Sequence, residues 1–168
     1  MRVEIGAGTS TRKGFIHTDL VDVPGGHLEH ICDADNLPFE NDSVEEIFME
    51  GVFEHFGMHK VDTVLAECYR VLKVTGIIEL TTPNLLAICK IILDDRLPFN
   101  DNYHKRPPLV YALSCLYGGQ DREGMFHKWA WTVESLTKKV VEKGFKVRLC
   151  DSNCYEPHTH IHMIVEKV

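Results

Sequence analysis

The sequence has no surplus of positive charge. Lys and Arg number 18 against 25 Asp and Glu, a net charge of -7. That excludes the broad basic face needed to grip nucleic acid or an anionic membrane surface. No apolar run is long enough to cross a bilayer, so membrane insertion is not expected. Met1-Arg2 leads directly into a strand pattern rather than into a signal peptide. The six cysteines (Cys32, Cys68, Cys89, Cys115, Cys150 and Cys154) form no CxxC pair. Zinc-ligand spacing is therefore missing, no metal is expected, and most of the thiols read as reduced core residues of a cytoplasmic protein. Internal repeats, low-complexity tracts and linker-like stretches are absent as well. What is present is 168 residues, 44% of them hydrophobic, enough for a single domain over 1–168 with a full core. Ten histidines are many for this length, and they should make the net charge less negative as pH falls through about 6.5.

Apolar runs alternate with helical periodicity, which predicts an α/β sheet. Strands are expected at Arg2–Ile5, Phe15–Asp19, Leu28–Cys32, Val44–Met49 and Ile77–Thr81. Lys60–Leu72 places Val61, Val64, Leu65, Cys68 and Leu72 on one helical face. Pro83 ends a strand because it cannot donate to the ladder, and Leu85–Leu93 is again helical. Thr132–Lys143 reads as a capped helix stopped by Gly144. Phe145–Cys150 and His160–Val165 follow as an antiparallel hairpin at one sheet edge. Residues 94–128 break the pattern with Pro98, Pro107, Pro108 and Gly118-Gly119. They are expected to form an insertion, a cap on the substrate side of the sheet's carboxyl edge.

Two connections are short. Eleven positions separate Gly8 from Asp19, and fourteen separate Asp19 from Asp33, where a parallel crossover takes about a dozen residues or more. The first covering helices must be vestigial or replaced by turns. One face of the sheet is then thinly covered, and a homodimer contact or a partner subunit could cover it.

Val3-Glu4-Ile5-Gly6-Ala7-Gly8 is a strand end that breaks into a glycine pair. Glycine lets backbone approach a ligand closely. Asp19, at the tip of the next strand, can accept hydrogen bonds from a ribose diol. Together they predict a nucleoside-bearing cofactor over the carboxyl ends of a parallel sheet. Asp33 and Asp35 compete for an adenine amine, with Leu37 and Phe39 as apolar walls. A dinucleotide fingerprint would need a third glycine opening a helix. Thr11 stands there instead, and the stretch that follows is too short for that helix.

These residues resemble class I S-adenosylmethionine-dependent methyltransferases, and among them the small type 11 group, often associated with glycan or surface-polymer pathways. The likeness runs through Val3–Gly8, Gly14–Leu20, Asp33–Phe39, Ser43–Ile47 with Phe53–Phe56, Arg70–Gly76 and Thr82–Asn84, then Tyr117–Gln120 with His127-Lys128. Val74-Thr75 departs from the group's Pro-Gly turn, Glu45 from its Asp, and Glu50-Gly51 from its small or polar residues and histidine. The resemblance implies a doubly wound, Rossmann-like α/β methyltransferase sheet with shortened first helices and a helical or loop insertion before the last helix. It implies S-adenosyl-L-methionine as cofactor, contacted by Glu4, Gly6, Ala7, Gly8, Asp19, Leu20, Asp33, Ala34 and Glu50. The reaction implied is methyl transfer to a small-molecule or sugar-related acceptor. A cofactor-binding subunit without activity of its own, or an NAD-dependent oxidoreductase, are the alternatives.

An alcohol or protonated amine acceptor needs a base. His127, His55 and Glu50 are the catalytic candidates, with His104 beside them. Tyr103, Tyr117, Trp129 and Trp131 are available to wall an acceptor or to pack. His158, His160 and His162 alternate along a strand and read as a solvated edge face rather than a metal site.

Overall fold

The computed structural model describes residues 1–93, 106–120, 124–154 and 159–168. Its strands are β1 (Arg2–Ile5), β2 (Ile16–Asp19), β3 (His30–Ile31), β4 (Val44–Glu50), β5 (Leu72–Pro83), β6 (Phe145–Cys154) and β7 (His160–Lys167). Its helices are α1 (Met58–Val71), α2 (Leu85–Leu93), α3 (Pro108–Tyr117) and α4 (Val133–Glu142), with a 3-10 turn at Phe53–His55. The strands form one sheet in the order β3-β2-β1-β4-β5-β7-β6. The first five are parallel, and β7 runs antiparallel between β5 and β6. Helix α2 has its expected bounds, whereas Leu72 leaves α1 and becomes the first residue of β5. Leu72 pairs there with Val44, since an extended backbone at the helix end lets the chain enter the sheet without a loop.

Residues in register share a sheet face. Val3, Ile47, Ile78 and Val165 form one row across the sheet, and Met49, Leu80 and Met163 another. All seven are fully buried. Against them pack Val61, Val64, Leu65, Cys68 and Val71 of α1 and Leu136 and Val140 of α4. Each such aliphatic side chain contributes roughly 1.5–3 kcal/mol by leaving water. Thr132 starts α4 with a reciprocal cap: its hydroxyl accepts from the Ser135 N–H at 3.1 Å, and the Thr132 N–H donates to the Ser135 hydroxyl at 3.0 Å. Among the described residues no helix is long and apolar enough to cross a membrane.

The opposite face is different. Between β1 and β4 the connections are turns and carry no helix. The row Glu4, Phe48, Glu79, Ile164 lies here. The loop after β1 covers Phe48: the Arg12 guanidinium stacks 3.5 Å from its ring centre, and Arg2 lies 4.6 Å from that of Phe15. Further along, His162 pairs with Glu79 at 2.9 Å, and Arg148 pairs with Glu166. The face expected to be thinly covered is therefore finished in ion pairs, which water solvates.

Within 94–128 the described residues contain α3, a helix hidden in the sequence by its prolines. Pro107 is the N-cap and Pro108 the first helical residue, where proline's fixed φ and missing N–H cost nothing. The expected edge hairpin is present, with β6 outermost. His160 and His162 consequently sit on an inner strand rather than on the edge, and His158 lies outside the described residues.

Val74-Thr75, in place of the group's Pro-Gly turn, has a visible consequence. Thr75 adopts φ 67°, a region that strains a β-branched side chain. Thr75→Gly should therefore raise stability by about 1 kcal/mol, the relieved strain exceeding glycine's entropy cost. Urea denaturation of the two proteins measures it, and an unchanged or lower midpoint contradicts the assignment of strain.

Candidate active site

The carboxyl ends of β1, β2, β4 and β5 share one edge of the sheet, and the predicted site residues gather there in two groups. The first surrounds the glycine pair. Gly6 and Gly8 have φ 69° and 55°. A Cβ on Gly6 would lie 2.4 Å from Val52 Cγ2, whereas one on Gly8 would meet nothing within 4 Å. Gly6 thus allows the β1 turn to pack on the segment after β4, and Gly8 leaves open space above the turn. The Gly8 N–H donates to Asp19 Oδ2 at 2.9 Å, and the Leu20 N–H donates to Oδ1 at 2.7 Å. The Ala7 N–H donates to the Thr18 carbonyl at 3.0 Å. The amides of Ala7 and Gly8 are thus engaged within the protein: Ala7 ties the turn to β2, and Gly8, with Leu20, orients the Asp19 carboxylate.

Glu4 is buried on the ion-paired face of β1. It accepts from the Ser10 hydroxyl at 2.8 Å, with His17 Nε2 at 3.4 Å and Arg12 Nε at 3.9 Å. It holds the loop that carries the glycine pair. Asp33 and Asp35 flank Lys60 at 2.5 and 3.3 Å, and the Ala34 N–H bonds the Asp33 carboxylate. Burial opposes ionisation of Asp33, but the hydrogen bond and charge of Lys60 hold its carboxyl below the usual range. Leu37 and Phe39 are both buried in the main core. Arg70 clamps this loop: its guanidinium donates to the carbonyls of Phe39 and Leu37, to Asn41 and to Glu67, while the Leu37 N–H donates to Glu67 at 2.7 Å.

The second group lies beyond β4. Glu50 ends that strand, exposed and close enough to His160 to act on its charge. Glu54, in the 3-10 turn, is 3% exposed. The Thr82 hydroxyl donates to its Oε2 at 3.0 Å, and its backbone carbonyl accepts from the N–H groups of Lys128 and Trp129 at 2.8 and 3.2 Å. His127 Nε2 stands 3.9 Å from Glu54 Oε1, and the rings of His55 and His127 meet edge to face at 4.7 Å. His127 Nδ1 is 2.8 Å from the Cys115 carbonyl, and His55 Nδ1 is 3.1 Å from that of Phe126. A carbonyl can only accept, so His127 carries its proton on Nδ1 and its lone pair on Nε2, while the His55 ring faces two carbonyls, those of Phe126 and Gly51. Burial raises Glu54 to about 7 and lowers His55 and His127. Burial and the neighbouring His127 take His160 down to about 4.

The fold thus brings together His55, His127 and, through His160, Glu50. Glu54 and His160 are the members that sequence reasoning missed. Glu54's signal is a lone acid among Val52, Phe53 and Phe56, all buried. His160 has no signal, because its neighbourhood exists only once β7 docks. Trp131 is core, 5.4 Å from Phe53, whereas Tyr117, Phe126 and Trp129 stay exposed. Tyr103 and His104 lie outside the described residues. A groove of about 800 Å³ between α2 and α4, lined by Leu86, Lys90, Val133 and Val141, includes no residue of either group.

Residues 17–80 match the family model described as a methyltransferase domain. No curated protein matches the sequence. The fold is similar to a SAM-dependent methyltransferase of Methanosarcina mazei, at 15% identity and TM-score 0.63 over 99% of this chain and 92% of that one. It is similar to the Burkholderia thailandensis 1,6-didemethyltoxoflavin-N1-methyltransferase, solved with 1,6-didemethyltoxoflavin and S-adenosylhomocysteine, at 14% identity and TM-score 0.66 over 99% and 70%. It also resembles a Haloferax volcanii methyltransferase solved with the Trm112 methyltransferase activator, at 14% identity and TM-score 0.61 over 98% and 81%. The resemblance read from the sequence is borne out by the matched segment and by the fold.

Two outcomes test this geometry. Gly118 has φ 78°, and a Cβ there would lie 2.0 Å from the Met125 carbonyl oxygen. Gly118→Ala should cost at least about 1–3 kcal/mol and release His127 from Cys115, seen as altered tautomer-sensitive ¹⁵N shifts of that ring. The Arg70 hydrogen bond holds Glu67 below the usual carboxylate range. A depressed carboxylate stabilises fully above its unfolded pKa of about 4.3 and loses that contribution as acid protonates it in the fold. Glu67→Gln should therefore be less stable than the parent by about 1–3 kcal/mol at pH 7. Urea midpoints should show that gap closing at roughly pH 3.

Proposed function

We propose that this chain, whose residues 17–80 match the methyltransferase-domain family model and whose strands follow the order β3-β2-β1-β4-β5-β7-β6, is an S-adenosylmethionine-dependent methyltransferase of the cytoplasm. Its acceptor is a small molecule or a sugar-related compound. The observation that carries this reading is the Asp19 carboxylate, oriented by the Gly8 and Leu20 amides beside the open space over Gly8.

The residues fit the cofactor. Asp19 retains lone pairs for a ribose diol, and a Cβ-free turn beside it gives the nucleoside room. Asp33, kept ionised by Lys60, is an acceptor for an exocyclic amine. When bound, the cofactor supplies a methyl group on a positively charged sulfur, which becomes a neutral thioether on transfer. The chain's own work is to position the acceptor and exclude water. The lone pair on His127 Nε2, aimed toward Glu54, can take a proton from an acceptor hydroxyl or amine. His55 supports that ring from its edge. Phe126 and Trp129 lie beside His127 along the chain, the His127 N–H donates to the Tyr117 carbonyl, and the exposed rings of all three suit stacking on a sugar or heterocycle.

The dinucleotide alternative is disfavoured because no helix follows Gly8, so no helix N-terminus is available for a pyrophosphate. The activator bound to the Haloferax volcanii neighbour is consistent with an enzyme that works with a partner.

Calorimetric titration with S-adenosylhomocysteine tests the reading. Asp19→Ala should weaken binding at least about 100-fold, because hydrogen bonds to a charged group are worth about 1.5–3 kcal/mol each, while the far-ultraviolet circular dichroism is retained. Undiminished affinity in the variant, or a parent that binds NAD in preference, overturns the assignment.

A further inference from the structure

One ligand-capable atom from each of Glu54, His55 and His127 lies within 4.8 Å of the others. This cluster has three features that a base alone does not require. First, every member is held by an outer partner through its remaining polar atom. Thr82 donates to Glu54 Oε2, while Nδ1 of His127 and of His55 meets the carbonyls of Cys115 and Phe126. Carbonyl-anchored imidazoles and a hydroxyl-anchored carboxylate are the outer arrangement that fixes metal ligands. Second, Glu54 Oε1 and His127 Nε2 stand 3.9 Å apart, and a ring nitrogen of His55 completes a set of three within 4.8 Å of one another. Third, Glu54 is a buried acid with no Lys or Arg in ion-pairing distance among the described residues. A buried carboxylate without a cation is costly.

We propose that Glu54, His55 and His127 bind one divalent transition-metal ion, of which Zn²⁺ is the type, at the carboxyl edge of the sheet. Two imidazoles and one carboxylate suit zinc and disfavour Mg²⁺ or Ca²⁺, which take oxygen ligands. Ligand bonds of about 2.0–2.2 Å would draw these atoms closer by roughly 1 Å, a shift that side-chain rotation supplies. Three protein ligands leave a coordination position open.

The site goes beyond methyl transfer, since the ion binds whether or not the cofactor does. Its use rests on that function. With the ion bound, the His127 Nε2 lone pair is a ligand instead of a base, and an acceptor hydroxyl or thiol on the open position loses its proton to water more readily. The resulting anion attacks the cofactor's methyl carbon, and the carbon–sulfur bond breaks with its electron pair going to sulfur. The cluster then selects acceptors that present an ionisable oxygen or sulfur.

The test uses the full chain without a histidine tag, stripped with a chelator and titrated with Zn²⁺ against a chromogenic chelator. One equivalent should bind with a dissociation constant below micromolar, unchanged by millimolar Mg²⁺. Co²⁺ in its place should show the visible absorption of a four- or five-coordinate ion. His127→Ala and Glu54→Gln should each weaken Zn²⁺ binding at least about 100-fold, beyond the loss that follows removal of an outer partner. If Glu54→Gln fails to fold, His127→Ala with retained S-adenosylhomocysteine binding decides alone. Absence of submicromolar binding in the parent, or binding undiminished in the folded variants, overturns the proposal. S-adenosylhomocysteine binding by the metal-free parent is read separately, so that failure of the metal site and failure of the methyltransferase reading are told apart.

Discussion

Glu54 is the residue on which the working edge of this protein turns. Its carboxyl group is out of water and meets the Thr82 hydroxyl at the end of β5 and the ring of His127, while its backbone carbonyl accepts from the amides of Lys128 and Trp129. A buried acid without its partners is costly, so this arrangement is either kept whole or lost. That fixes where residues 124–131 cross the sheet edge and sets His127 beside His55. The Asn84 and Leu85 amides complete the docking by donating to Thr159 and Trp131.

The glycine-pair end follows the same logic with smaller parts. A Gly6 without a side chain admits Val52, which binds the turn after β1 to the segment after β4. Asp19 is then orientated by amides that would otherwise need other partners. Glu4, Ser10 and Arg12 hold the loop between them. Because turns replace the helices on this side, charged side chains rather than apolar ones finish the sheet face. The two halves of the site therefore rest on different supports. The glycine-pair end is held by a loop and ion pairs, and the Glu54–His127 end by a core that includes Phe53 and Trp131.

Much of this was legible beforehand. Gly6, Gly8 and Asp19 could be placed because a glycine pair after an apolar run, with an acid at the next strand's tip, has few structural meanings. Short connections announced missing helices, since a crossover helix needs a minimum of chain. The helix at Pro108–Tyr117 was not legible, because proline at a helix start and proline as a breaker look alike in sequence. Lys60 gave no sign of reaching Asp33, which is 27 positions away. Glu54 stood inside a recognisable motif, yet nothing local indicated that its side chain points inward. The metal cluster was invisible for the same reason: its ligands come from two distant segments with no ligand spacing between them.

From its order of residues alone, this chain determines its strands, its principal helices and the cofactor class that its first turn implies. Those depend on periodicity and on backbone freedom at single positions, which are local properties. Tertiary structure alone decides which charges are removed from water and which imidazoles face one another. Burial and convergence arise only when β5, β7 and the segment around His127 close on the turn after β4, and no sequence spacing encodes that distance.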